Sequence, residues 1–95
     1  MPSFVDGIGA PTVFPEMFEL ARQLLEGSIV VSGEEIARAI HQLIERNRVV
    51  AEGAGAAPVA AALTGQGGAG KIVCVVSGGN IDSAKLQMIL AGGTP

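Results

Sequence analysis

The residues best suited to chemistry are Ser77-Gly78-Gly79-Asn80, which follow the apolar run Ile72-Val73-Cys74-Val75-Val76 and precede a stretch with helical spacing. A strand that opens through a tight glycine turn into a helix leaves backbone N–H groups and the Ser77 hydroxyl facing the crevice at the strand's carboxyl end. Open α/β sheets bind their ligands there, so the junction suits a cofactor. Two glycines before a helix serve equally well as a turn that lets strand and helix pack closely.

Other candidates carry less. Gly65-Gln66-Gly67-Gly68-Ala69-Gly70-Lys71 matches both a dinucleotide string and the start of a phosphate-binding loop. Each of those needs a strand before it and a helix after it, whereas here a helical pattern precedes and a strand pattern follows. Ile72 also stands where a magnesium-binding Ser or Thr belongs. The stretch reads as a glycine linker. Gly53-Ala54-Gly55 has Pro58 in place of a third glycine and is a weak dinucleotide signal. Glu52 ends an apolar run beside that turn; its residue type favours a solvated loop, with a pocket-directed carboxylate as the alternative. His41 has no second His or Cys at ligand spacing, so no metal is expected. Asp6, Asp82, Glu34 and Glu35 are too dispersed to suggest a carboxylate pair.

Three short motifs occur in order: Val5-Asp6-Gly7-Ile8, Val49-Val50-Ala51-Glu52-Gly53-Ala54-Gly55-Ala56-Ala57 and Ser77-Gly78-Gly79-Asn80. From about Phe4 to Leu90 the chain resembles the last third of the catalytic domain of the threonine/serine dehydratases. These are pyridoxal-phosphate enzymes of the tryptophan-synthase β-subunit fold type. The resemblance implies pyridoxal phosphate as cofactor of the complete enzyme, with the Ser77 hydroxyl bonded to the pyridine nitrogen. A neutral hydroxyl leaves that nitrogen largely unprotonated, where an Asp would protonate it, and so favours loss of a β-substituent. By the same resemblance Gly7 packs against the cofactor ring and Glu52 lies close to it. Gly78, Gly79 and Asn80 complete the cofactor-binding turn.

The family's Schiff-base lysine, in a Lys-x-Arg context, and its glycine-rich phosphate loop have no counterpart in these residues. Lys71 and Lys85 do not replace that lysine by motif. The implied role is one wall of an active site that eliminates water and releases ammonia from a hydroxy amino acid. The 95 residues alone are expected to be inactive and not to hold the cofactor stably. Threonine, serine and diaminopropionate members share these motifs. The expected partner is the remainder of the dehydratase or another copy of the chain, with a small amino acid as substrate of the whole. The alternatives are a non-catalytic module that docks onto a complementary piece or self-associates, and a small nucleotide-binding protein.

Composition narrows the classes further. Hydrophobic residues make up 48% and charged residues 16% of 95 residues, and the mean hydropathy is +0.48. So apolar a small body expects a cover. A net charge of −3, with six scattered basic residues, offers no patch for a polyphosphate backbone, and nucleic acid is not an expected partner. No apolar run approaches a membrane span. The lone Cys74 lies mid-strand and reads as a small core residue, in keeping with a cytoplasmic location.

These residues require a set of elements to position them. Met1 to Thr12 reads as irregular. Pro15 opens a helix over 15–26, closed by Gly27. Ser32 and Glu35 form a capping box for a helix over 33–47, and an alanine-rich helix covers 56–64 after a turn at 53–55. A last helix runs from about 82 to 90. Strands are expected at 28–31 and 71–76, with a short extended segment at 48–52. The whole is expected to be a single partial domain, 1–95, of α/β class: three layers, with a small, mostly parallel sheet flanked by helices.

Overall fold

A computed structural model describes residues 3–95, so Met1 and Pro2, part of the stretch expected to be irregular, lie outside it. Four α-helices follow in order: α1 (Pro15–Leu24), α2 (Gly33–Gln42), α3 (Gly53–Leu63) and α4 (Ser83–Leu90). A single 3₁₀ turn, Asp6–Ile8, precedes them, and a wide π turn, Leu43–Asn47, prolongs α2.

The capping box forms as expected. The Glu35 N–H donates to Ser32 Oγ at 3.1 Å, and the Ser32 N–H donates to Glu35 Oε1 at 3.0 Å. Beyond this cap, Ile36, Ile40 and Leu43 recur at helical spacing and are buried. They make α2 the centre of the core. It packs against α3 through Ala56 and Ala60 and against α4 through Ile89. The helix ends where Arg48 turns left-handed, at φ 58°, and the chain leads on without regular structure to Glu52.

Helix α3 starts at Gly53, three residues earlier than its alanine run predicts, so the expected 53–55 turn is the first turn of the helix. Close packing explains the glycines. A Cβ at Gly53 would lie 2.8 Å from Val5 Cγ2, and one at Gly55 would lie 2.6 Å from the Gly78 carbonyl oxygen. Side chains there would force the helix away from both neighbours.

The α/β expectation is overturned. Among the described residues there is no strand and no sheet; 28–31 and 71–76 are unpaired connections, so the three-layer arrangement with a small parallel sheet is not what the chain forms. The β-branched runs are present, but a ladder needs a partner, and a two-stranded pair is marginal in water. Four residues at 28–31 offer too few bonds to offset the ordering of both segments. Most of their side chains stay in solvent, Val30 at 84% and Val73 at 92% exposed, while Val31 packs against the core. Cys74, expected in the core, is half-buried, with its thiol 3.5 Å from the Pro58 carbonyl oxygen.

Among the described residues, helix α1 touches no other helix. Its Met17, Phe18, Leu20 and Leu24 are all exposed. The chain measures 40 × 33 × 18 Å with a radius of gyration of 13.9 Å, against roughly 12 Å for a closed domain of this length. Much of its apolar surface is therefore uncovered.

Candidate functional site

The three motifs meet at the N-terminal end of α3. Glu52 occupies the N-cap position but makes no side-chain bond to the helix. Its backbone N–H instead donates to the Gly78 carbonyl at 2.9 Å. Its carboxylate fills the space that a side chain at Gly78 would need and lies 4.0 Å from where a Cβ at Gly7 would stand. The carboxylate is thus set between the Asp6–Ile8 turn and the Gly78 segment, where the expected tight glycine turn is irregular chain.

Bare backbone makes this meeting possible. A Cβ at Gly7 would approach the Ala54 Cβ to 2.8 Å, and one at Gly79 would approach the Val50 carbonyl oxygen to 2.5 Å. Such separations are far inside ordinary contact. At Gly7, Gly55, Gly78 and Gly79 the protein's own atoms therefore occupy the space of a side chain, and the segments pack directly on one another. Gly78 is half-buried, whereas Ser77, Gly79 and Asn80 face solvent. The Ser77 hydroxyl makes no side-chain hydrogen bond among the described residues and is available to a ligand.

On the other side of Glu52 lies a pocket of about 150 Å³ lined by Phe4, Glu52, Asn80 and Asp82 together with Asp6 and Lys85. Lys85 Nζ is 3.4 Å from Asp6 Oδ2. Three carboxylates against one ammonium, itself paired, repel a phosphate group. Of the residues that the resemblance ties to the cofactor, Glu52 and Asn80 line this pocket, whereas Gly7, Ser77, Gly78 and Gly79 do not.

Sequence reasoning singled out Gly7, Glu52, Ser77, Gly78, Gly79 and Asn80. The structure brings Gly7, Glu52 and Gly78 into one cluster and places Asn80 on the adjoining pocket, whereas Ser77, next to Gly78 in the chain, is exposed and does not line that pocket. Sequence reasoning missed the Asp6–Lys85 pair, two charges 79 positions apart. No spacing rule reaches that far.

The other weighed motifs lie elsewhere. Gly65, Gly68 and Gly70 all have positive φ in an exposed loop, with unpaired chain instead of a helix after them. His41 Nε2 pairs with Glu45 Oε2 at 3.1 Å on α2 and its π extension. The described residues contain no group of three or more potential metal ligands. None of their helices is long and apolar enough to cross a membrane.

Comparison with known proteins decides the family. A family model described as pyridoxal-phosphate dependent enzyme matches residues 1–78. The chain belongs to that family. It is 40% identical to an L-threonine ammonia-lyase of Geobacter sulfurreducens over 96% of this chain and 23% of the relative. It is 42% identical to the L-threonine ammonia-lyase of Thermotoga maritima over 97% of this chain and 23% of that protein. A catabolic L-threonine dehydratase, TdcB, of Staphylococcus aureus is 34% identical over 96% of this chain and 28% of its own length. The chain thus spans about a quarter of the length of these relatives. No solved structure gives a significant match. Family membership implies pyridoxal phosphate as the cofactor of the complete enzyme.

Proposed function

We propose that this chain forms the wall facing the pyridine ring in a pyridoxal-phosphate-dependent threonine or serine dehydratase. The observation that carries this reading is the Glu52 carboxylate seated between Gly7 and Gly78. It joins the three segments that the resemblance ties to the cofactor. When bound, the cofactor supplies an electron-withdrawing ring that eases departure of the substrate's α-proton and β-hydroxyl.

The chain's own residues orient that ring. Ser77 offers a neutral hydroxyl to the ring nitrogen and so leaves it without a full positive charge. Gly7, Gly78 and Gly79 are bare where Ala54, Glu52 and Val50 press against them, which draws the three segments together. Glu52 closes the wall between the two turns, and Asn80 borders the pocket beside it. The lysine that would hold the cofactor covalently has no motif here, and the amine comes from the remainder of the enzyme. That remainder also covers the exposed apolar residues of α1 and of 28–31 and 71–76.

The deciding experiment compares ammonia release with α-proton exchange in deuterated water for Ser77→Ala and Ser77→Asp in the complete enzyme. Ser77→Asp should lower that ratio, because a protonated ring nitrogen favours side reactions over elimination. An unchanged ratio in Ser77→Asp, with loss of cofactor in Ser77→Ala, would make Ser77 a turn residue only.

The exposure of Phe14, Met17, Phe18, Leu24 and Leu25 supports a second reading, a non-catalytic module that docks onto a complementary piece or self-associates. Sedimentation at several concentrations distinguishes it: a concentration-independent monomer excludes self-association.

A further inference from the structure

Three segments make up the wall, and each is joined to the next by a different contact. The Asp6–Ile8 turn rests on α3, with Gly7 over the Ala54 methyl and Val5 against Gly53. The start of α3 holds the Gly78 turn through the Glu52 N–H to Gly78 carbonyl bond at 2.9 Å. The Gly78 turn runs on through Asn80 into α4, which carries Lys85. From α4 the Lys85 ammonium reaches back to Asp6, one residue before Gly7, at 3.4 Å.

We propose that Lys85 is a positioning residue: its bond to Asp6 closes this ring of contacts and holds Gly7 in register with Glu52 and the Gly78 turn. The proposal rests on the cofactor-wall reading above. Two segments joined to a third at one point each can still pivot against one another; a third link removes that freedom. Lys85–Asp6 is also the one bond between side chains distant in sequence among the described residues. The lysine side chain is 30% exposed, so its stem lies along the protein while the carboxylate of Asp6, at 81%, remains in water. Lys85 further offsets the mutual repulsion of Asp6, Glu52 and Asp82 around the same pocket.

The test uses the complete holoenzyme carrying Lys85→Met, Lys85→Arg, Asp6→Asn and the Lys85→Met/Asp6→Asn pair, read by cofactor affinity and by amide exchange. A pair this exposed is worth up to about fivefold in an equilibrium, so Lys85→Met should weaken pyridoxal phosphate binding about two- to fivefold. Lys85→Arg should restore it, and the double variant should be no worse than either single one. Exchange at the Gly9 amide, bonded to the Asp6 carbonyl at 3.3 Å, should quicken in Lys85→Met while amides inside α2 stay unchanged. Additive losses, equal behaviour of Met and Arg at 85, or an unaltered Gly9 amide would overturn the proposal. The Ser77→Asp ratio separates the two claims. A normal response there with no effect of Lys85→Met removes only the clasp, whereas no response there removes the cofactor wall itself.

Discussion

Glu52 and Gly78 are joined twice, by the Glu52 N–H donating to the Gly78 carbonyl at 2.9 Å and by the Glu52 carboxylate lying where a Gly78 side chain would be. The backbone bond fixes the turn on α3. The carboxylate, at the end of a flexible side chain, can swing aside.

This difference predicts the ranking of glycine substitutions. Gly55→Ala must displace the Gly78 carbonyl oxygen, a backbone atom 2.6 Å from the new methyl, and should cost about 1–3 kcal/mol as overpacking. Gly78→Ala displaces only the Glu52 carboxylate and should cost less in stability while disturbing cofactor binding. Gly27→Ala meets nothing within 4 Å and should be neutral within about 0.5 kcal/mol. Urea unfolding of the three variants checks the order; equal losses at 55 and 27 would contradict it.

In the role proposed for Ser77, Ser77→Ala removes a single hydrogen bond to the cofactor. In the complete enzyme the affinity for pyridoxal phosphate should fall by about 0.5–1.5 kcal/mol, no more than about twelvefold. Fluorescence titration measures it, and complete loss of binding would point to a fold defect.

Purified alone, the 95 residues should retain no pyridoxal phosphate through a desalting column and form no 2-oxobutyrate from threonine. The reason is the missing lysine motif. A protein-bound absorbance band together with product would refute this.

The α2 cap carries a pH prediction. The Ser32 N–H and hydroxyl hold the Glu35 carboxyl below its ordinary value of 4.5, the backbone bond being the larger cause. A carboxylate held low in the folded state adds stability that is fully present above its unfolded value and is lost as pH falls through the folded one. The gap in thermal midpoint between the wild-type chain and Glu35→Ala should therefore be widest near neutrality and shrink below about pH 4.5. Separately, Ser32→Ala should cost about 1 kcal/mol at neutral pH. A gap that grows on acidification would show the bond to be absent in solution.

Local chemistry was enough to read much of this molecule from its residues. Ser32 and Glu35 announce their capping box because both partners lie within one turn. The apolar spacing of Ile36, Ile40 and Leu43 marks the buried stripe of α2 for the same reason, and Pro15 marks the start of α1. Order along the chain was also legible, and the three motifs carrying Gly7, Glu52 and Gly78 pointed to the family that the comparisons then showed.

Whatever depended on distant partners was left to the tertiary structure. The runs at 28–31 and 71–76 have strand composition, yet a strand exists only when another backbone answers its N–H and C=O groups, and here none does. Gly53 and Gly55 looked like a turn because their residue type disfavours helix; Val5 and the Gly78 carbonyl, packed against them, require that helix to be bare. Nor could any spacing pair Asp6 with Lys85 across 79 positions. Residue type sets what a segment prefers over a few neighbours, while contacts between remote segments decide which preference is realised and which side chains share a site.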